Sequence, residues 1–166
     1  MPGVTETYRP LVHEIFTKIN NAKDKPKKMQ VLRQYKSEGM EKLLKAAFDP
    51  QIKWLLPEGD VPFKPNDAPE GTEHTRLEHE ARTLKNYVAL ENAGQTHVGN
   101  PDLNNMKREL LFIQLLEGLC EGEARVLILA KDKKLNKYKG LTAAMVREAY
   151  GWDENFMTPG VTRVAS

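Results

Sequence analysis

Five lysines fall within nine residues of the stretch AKDKKLNKYKGLTAAMVREAYG: Lys131, Lys133, Lys134, Lys137 and Lys139. Chemistry for such a segment means anion binding. The lysines supply charge, Gly140 lets another backbone or a ligand come close, and Thr142 is placed to cap a following helix. The uncapped amides at that helix start, with the positive end of its dipole, would face the solvent the lysines populate, which is how helix N-termini hold phosphates. A solvated loop followed by a capped helix is the plainer alternative. A second basic run, Lys23 to Lys28, contributes Lys25, Lys27 and Lys28 as a further set of candidate phosphate contacts.

Other chemistry finds little support. The chain has no GxxxxGK loop, no GxGxxG and no GxSxG, so the usual nucleotide-binding and hydrolase motifs are missing. His74, Glu78, His79 and Glu80 look like a metal cluster, but the two histidines are five residues apart and diverge on a helix, whereas HExxH ligands converge. No metal or other cofactor is therefore expected, nor any catalytic residue. Cys120 is the single cysteine, which excludes an internal disulfide and any zinc site built on several thiolates. Within LLEGLCEGEA it reads as a small core residue. Trp54 and Trp152 read as core or lid aromatics rather than base-stacking platforms.

With 166 residues, 40% hydrophobic and 29% charged, the sequence describes one ordinary globular domain, residues 1–166. No apolar run is long enough to span a bilayer, so no membrane partner is expected. The N-terminus lacks the basic start and apolar stretch of a secretory signal, and the cytoplasm is the expected compartment. The net charge of +2 is too small to argue for nucleic acid by itself, but charge is segregated. Lys18 to Lys45 holds nine basic residues against three acidic ones, Asp49 to Ala81 holds eight acidic against three basic, and Lys131 to Lys139 is basic again. Solvated helix faces would account for any one of these runs; two basic runs flanking an acidic one are less easily explained that way.

The elements that must position these residues read as helices, giving an expected all-α fold: a single multi-helix domain with a long proline-rich loop. Val12, Ile15, Phe16 and Ile19 line one face of a first helix. Asp24 caps a second, with Pro26 in its first turn, inner residues Val31, Leu32 and Tyr35, and Gly39 at its end. A third buries Met40, Leu43, Leu44 and Ala47 and stops at Asp49-Pro50. The segment PEGDVPFKPNDAPEG, with four prolines and two glycines, is a surface loop reaching residue 73. Thr75-Arg76-Leu77-Glu78 reads as a capping box opening a helix to about Asn92, with Leu77, Ala81, Leu84 and Val88 as its stripe. A polar loop, AGQTHVGNPDLNN, precedes a central core helix marked by Met106, Leu110, Ile113 and Leu116. Gly122 and Glu123 then punctuate before a buried helix over ARVLILAKDK. No strand pattern of convincing length appears.

MQVLRQYKSEGMEKLLKAAFDPQIKWLLP, together with LFIQLLEGLCEGEARVLILAKDKKLNKYKGLTAAMVREAYG, resembles the all-helical N-terminal DNA-binding domain of ATP-dependent DNA ligases of the T4-phage type. It also looks like a set of small proteins from marine T4-like phages. In the ligase domains an apolar helix pair is followed by a short basic stretch with a leucine, then a glycine, then a helix, and this region contacts the duplex backbone. Lys134, Leu135, Lys139, Gly140 and the helix from Thr142 occupy that pattern here. The ligase Lys-x-Asp-Gly motif, whose lysine is adenylated, is absent from these 166 residues, so strand joining by this chain alone is excluded. The resemblance implies a non-catalytic, double-stranded DNA-binding domain of phage type, with a replication or host protein as a further partner. Lys133, Lys134, Lys137, Lys139 and the Thr142 helix end would hold phosphates without reading sequence. The competing class is a phage-encoded protein-interaction module, an adaptor, host-factor inhibitor or small virion component, whose acidic loop from Pro57 to Gly71 docks on a basic surface.

Overall fold

The computed structural model describes residues 9–66 and 75–159. Helices α1 (Val12–Asn21), α2 (Lys25–Gln34) and α3 (Glu38–Phe48) follow one another with short turns. Strand β1 (Ile52–Trp54) comes next, then the described part of the proline-rich loop, and then a short helix α4 (Leu77–Glu80) that tightens into a 3-10 segment, Ala81–Tyr87. A hairpin of β2 (Val88–Asn92) and β3 (Gln95–Val98) leads to α5 (Asn105–Gly118), α6 (Glu121–Lys131), a 3-10 turn at Leu135–Lys137 and α7 (Ala143–Tyr150). No described helix is long and apolar enough to cross a membrane.

The first three helices form where local chemistry places them. Val12, Ile15, Phe16 and Ile19 are buried on α1. The Asp24 side chain accepts the Lys27 N–H at the start of α2, with Pro26 in the first turn, where a missing amide costs nothing. Ser37 caps α3 by accepting the Met40 N–H, and Met40, Leu43, Leu44, Ala46 and Ala47 are buried behind it. Gly39 does not end α2. It lies in the first turn of α3, where a Cβ would stand 1.9 Å from the Glu78 carbonyl oxygen, so only glycine lets α4 pack this close.

The fold is mostly helical but not all-α, because a small antiparallel sheet of order β1-β2-β3 completes it. Ile52, Lys53 and Trp54 pair with Leu90, Ala89 and Val88, and Ala89 to Asn92 pair with Val98 to Gln95. The helix expected over 75–92 therefore exists only as α4 and its 3-10 extension. Its expected capping box is not formed: the Thr75 hydroxyl donates to the Gly118 carbonyl, and Glu78 is taken by Arg9 and Ser37. The polar segment after it contains β3, and the chain turns into that strand through Ala93 at φ 54° and Gly94 at φ 78°, the two positive values of a type I′ hairpin loop.

The core gathers α1, α3, α6, α7 and the inner face of α5. On α5 the inner face is Arg108, Phe112 and Leu116: Leu116 is buried as expected, while the rest of the expected stripe is replaced by Arg108 and Phe112. Met106 is 80% exposed and Leu110 55%, while Ile113 is half-buried. Glu123, expected as punctuation, is a buried carboxylate in the first turn of α6. It accepts the Val12 N–H at 2.8 Å and the Leu77 N–H at 2.9 Å, so the N-termini of three helices meet on one acid, whose charge their dipoles favour. Cys120 and Trp152 are buried as expected, and Trp54 donates its indole N–H to the Ala46 carbonyl.

Candidate nucleic-acid interface

The two basic runs, more than a hundred residues apart in sequence, meet side by side. Lys28 lies against Gly140: a Cβ built there would stand 2.4 Å from the Lys28 Cδ. Gly140 also holds φ at +83°, in the left-handed region that glycine enters without strain. The Lys28 ammonium donates to the Lys139 carbonyl at 3.1 Å and to the Ile19 and Asn20 carbonyls at 2.7 and 3.3 Å, closing the C-terminal end of α1 where a cation is favoured. The Lys139 N–H donates in turn to Asn20 Oδ1. Leu135 and Leu141 are fully buried and anchor the loop between them, and α7 packs on α2.

In the two runs, Lys23, Lys27, Lys134, Lys137 and Lys139 are exposed. Thr142 caps α7 by accepting the Met145 N–H, as the sequence led one to expect. Lys25 is exposed too, but its ammonium pairs with Glu148 on α7 at 2.6 Å, which offsets part of its charge.

Lys131 and Lys133 sit elsewhere. Lys131, expected in solvent with the rest of its run, has a side chain only 1% exposed. Its ammonium donates to the Pro57 and Gly59 carbonyls and to Asp132, and Asp132 accepts the Gly59 N–H, so the pair pins the proline-rich loop to the end of α6. The cost of burying the charge is met by a full set of acceptors, and those acceptors leave it unsuited to a phosphate. Lys133 follows α6 at φ 60°, with its N–H and that of Lys134 closing the helix on the Ala130 and Leu129 carbonyls. Its ammonium donates to the Asp49 carbonyl at the end of α3. Burial pushes that amine down to about 8, with Asp49 opposing the shift and Lys53 adding to it. Both lysines border a pocket of about 550 Å³ whose walls include Phe48, Ile52, Trp54 and Leu56.

The described part of the acidic loop stays on the α5 and α6 side. Its Lys64 N–H donates to Glu117, and Phe63 lies under the Arg125 guanidinium. The remainder of the expected loop, 67–73, and His74 lie outside the described residues. His79 is exposed, and no group of three or more His, Cys, Asp or Glu among the described residues could hold a metal ion.

Sequence reasoning passed over further cations beside α7. Lys36 stands over the Tyr150 ring, Lys45 over Trp152 and Arg147 over Phe156, while Arg33 Nε donates to the Ala149 carbonyl at 2.9 Å. The signal was the aromatic trio Tyr150, Trp152 and Phe156 close behind the basic segment, since the faces of such rings attract cations. Also unforeseen is the tie from Arg9 to Glu78, which Ser37 joins. Burial alone would push the Glu78 carboxyl up, but the bonds from Arg9 and Ser37 and the charges of Arg9 and Arg76 bring it below its ordinary value.

A family model described as a family of unknown function (DUF6433) matches residues 15–137. The chain belongs to this family. The DUF6433 match takes in the Lys23 to Lys28 run, Lys131, Lys133, Lys134 and Lys137, and stops short of Lys139, Gly140 and α7. No curated protein and no solved structure matches the chain.

Proposed function

We propose that this chain is a non-catalytic, duplex-DNA-binding protein, similar to the ligase DNA-binding domains of phage type, that holds the phosphate backbone without reading sequence. The observation that carries this reading is the seating of Lys28 against Gly140, which brings the two basic runs into contact beside the capped start of α7. Lys23, Lys27, Lys134, Lys137 and Lys139 are the contacts, and the α7 amides add to them; Lys131 and Lys133 position the segment from behind. The described part of the acidic loop is held by Lys131, Asp132, Glu117 and Arg125, none of which is among these contacts. Lys25 contributes less than its neighbours because Glu148 already pairs with it. Such a protein would work in the cytoplasm, that of the host cell if phage-encoded. A second reading, a protein-interaction module of the adaptor, inhibitor or virion-component kind, is favoured by one observation, the exposed apolar side chains on α5.

The test is a fluorescence-anisotropy titration of a duplex of arbitrary sequence across a salt series. Each phosphate neutralised releases condensed counterions, so the log–log slope of affinity against salt should be about −0.9 per contact. Replacing Lys134 and Lys139 together by alanine should weaken binding at low salt and make the slope shallower by about two. The melting temperature should hardly change, because both side chains are exposed. If the wild type binds no duplex at low salt, the DNA reading fails and the interaction-module reading replaces it.

A further inference from the structure

Of the apolar stripe of α5 that the sequence assigns to the core, only Leu116 is fully buried; Met106 and Leu110 face solvent and Ile113 is half-buried. Met106, Leu110 and Ile113 recur at the spacing of one helical face, turned about 100° around α5 from the buried Phe112 and Leu116. Scattered exposed apolar residues are normal on a surface, but a contiguous stripe on one helix marks an interface. Beside it opens a cleft of about 200 Å³ lined by Val61, Pro62, Phe112, Ile113 and Glu109, among others.

We infer that this face is the contact of a homodimer, in which α5 packs antiparallel on α5 of a second copy. Charge and symmetry favour a second copy as the occupant. Lys107 stands in the first turn of α5 and Glu117 in the last. An antiparallel pairing centred between Leu110 and Ile113 sets those two residues against each other across the axis. It also places Glu117 of each copy beside Met106 and Lys107 of the other, twice over. A parallel pairing would oppose Lys107 to Lys107 and Glu117 to Glu117. Antiparallel helices also put the positive end of each dipole beside the negative end of its neighbour. Each copy offers protruding side chains, Met106 and Leu110, next to a cleft able to take one, so the patch is self-complementary and the assembly closes at two. The Lys28–Gly140 junction is built by α1, α2 and the segment leading into α7, so this inference stands apart from the DNA reading.

Sedimentation velocity of the full chain, free of nucleic acid and run from dilute solution to the solubility limit, tests it. The wild type should move from monomer to dimer mass as concentration rises. Leu110→Asp should remain monomeric throughout and melt like wild type in dilute solution, where both are monomers, since the side chain it replaces is already exposed. Lys107→Glu should weaken association on the order of tenfold, and Lys107→Glu combined with Glu117→Lys should restore it. A wild type that stays monomeric at the highest concentration overturns the inference and gives the face to a different apolar partner. A Leu110→Asp variant that dimerises as tightly as wild type overturns it equally.

Discussion

Glu123 shows how a single charged residue can organise a helical core. At 1% exposure it receives the first amides of α1 and α4 while standing in the first turn of α6. Each amide is an orphan at its own helix start and would be costly to bury unmet. Glu123→Gln keeps the shape but turns an NH2 toward one of the two donors. Its unfolding free energy in urea should fall by about 1–3 kcal/mol, the cost of one buried unsatisfied donor. A variant as stable as wild type would mean that the two amides are satisfied without this carboxylate. Nothing near Glu123 in sequence announces the role, because its partners lie 111 and 46 residues away. Lys131 was illegible for the same reason: its acceptors at Pro57 and Gly59 come from a loop more than seventy residues upstream. The residues that could be read from sequence are those whose partners are local, such as Asp24 and Thr142, each capping the helix that follows it.

The same division governs whole elements. Helices α1 and α3 carry a single apolar face and a local stop, and the sequence places both within a residue or two. Helix α5 offers two competing faces, one through Met106, Leu110 and Ile113 and one through Phe112 and Leu116, so periodicity alone cannot choose between them. Tertiary contact decides: Phe112 meets Tyr87 edge to face at 5.2 Å, and Tyr87 ends a 3-10 segment that replaces the helix expected there. That replacement was hidden too, since β2 exists by pairing with β1 across the proline-rich loop. The assignment makes a comparison testable by thermal and urea unfolding. Phe112→Ala should cost about 3–5 kcal/mol, and Ile113→Ala well under half of that, because Ile113 is already partly in solvent. The reverse order of losses would return α5 to the orientation its sequence suggests.

At the scale of the molecule, the segregation of charge along the chain becomes a division of labour between the two ends of one basic segment. Lys134, Lys137 and Lys139 reach solvent, Lys139 beside the end of α1, while Lys131 and Lys133 hold α6 to the loop and to α3. Holding α6 to α3 leaves the fold a dependence on pH with a definite sign. Burial lowers the Lys133 amine from its ordinary value to about 8. Between about 8 and 10.5 the unfolded chain therefore keeps a proton that the folded chain has released. Stability gained by this group is fully present above the upper value and lost as pH falls through the lower one, so wild-type stability should climb across that window. Two tyrosines set the far limit. Burial, with Glu80 nearby, pushes Tyr87 up to about 12, and burial above all raises Tyr150 as well. Their contribution is present below a pH of about 10 and is lost as pH rises through the folded values. Urea midpoints measured from neutral pH upward should thus rise to a maximum near pH 10 and then fall. Lys133→Met removes the amine that titrates in the lower window, and the variant should show a flat profile there followed by the same fall. A wild-type profile already flat between about 8 and 10 would mean that Lys133 is no more buried than an ordinary surface lysine, and that the Asp49 carbonyl does not hold it at the junction of α3 and α6.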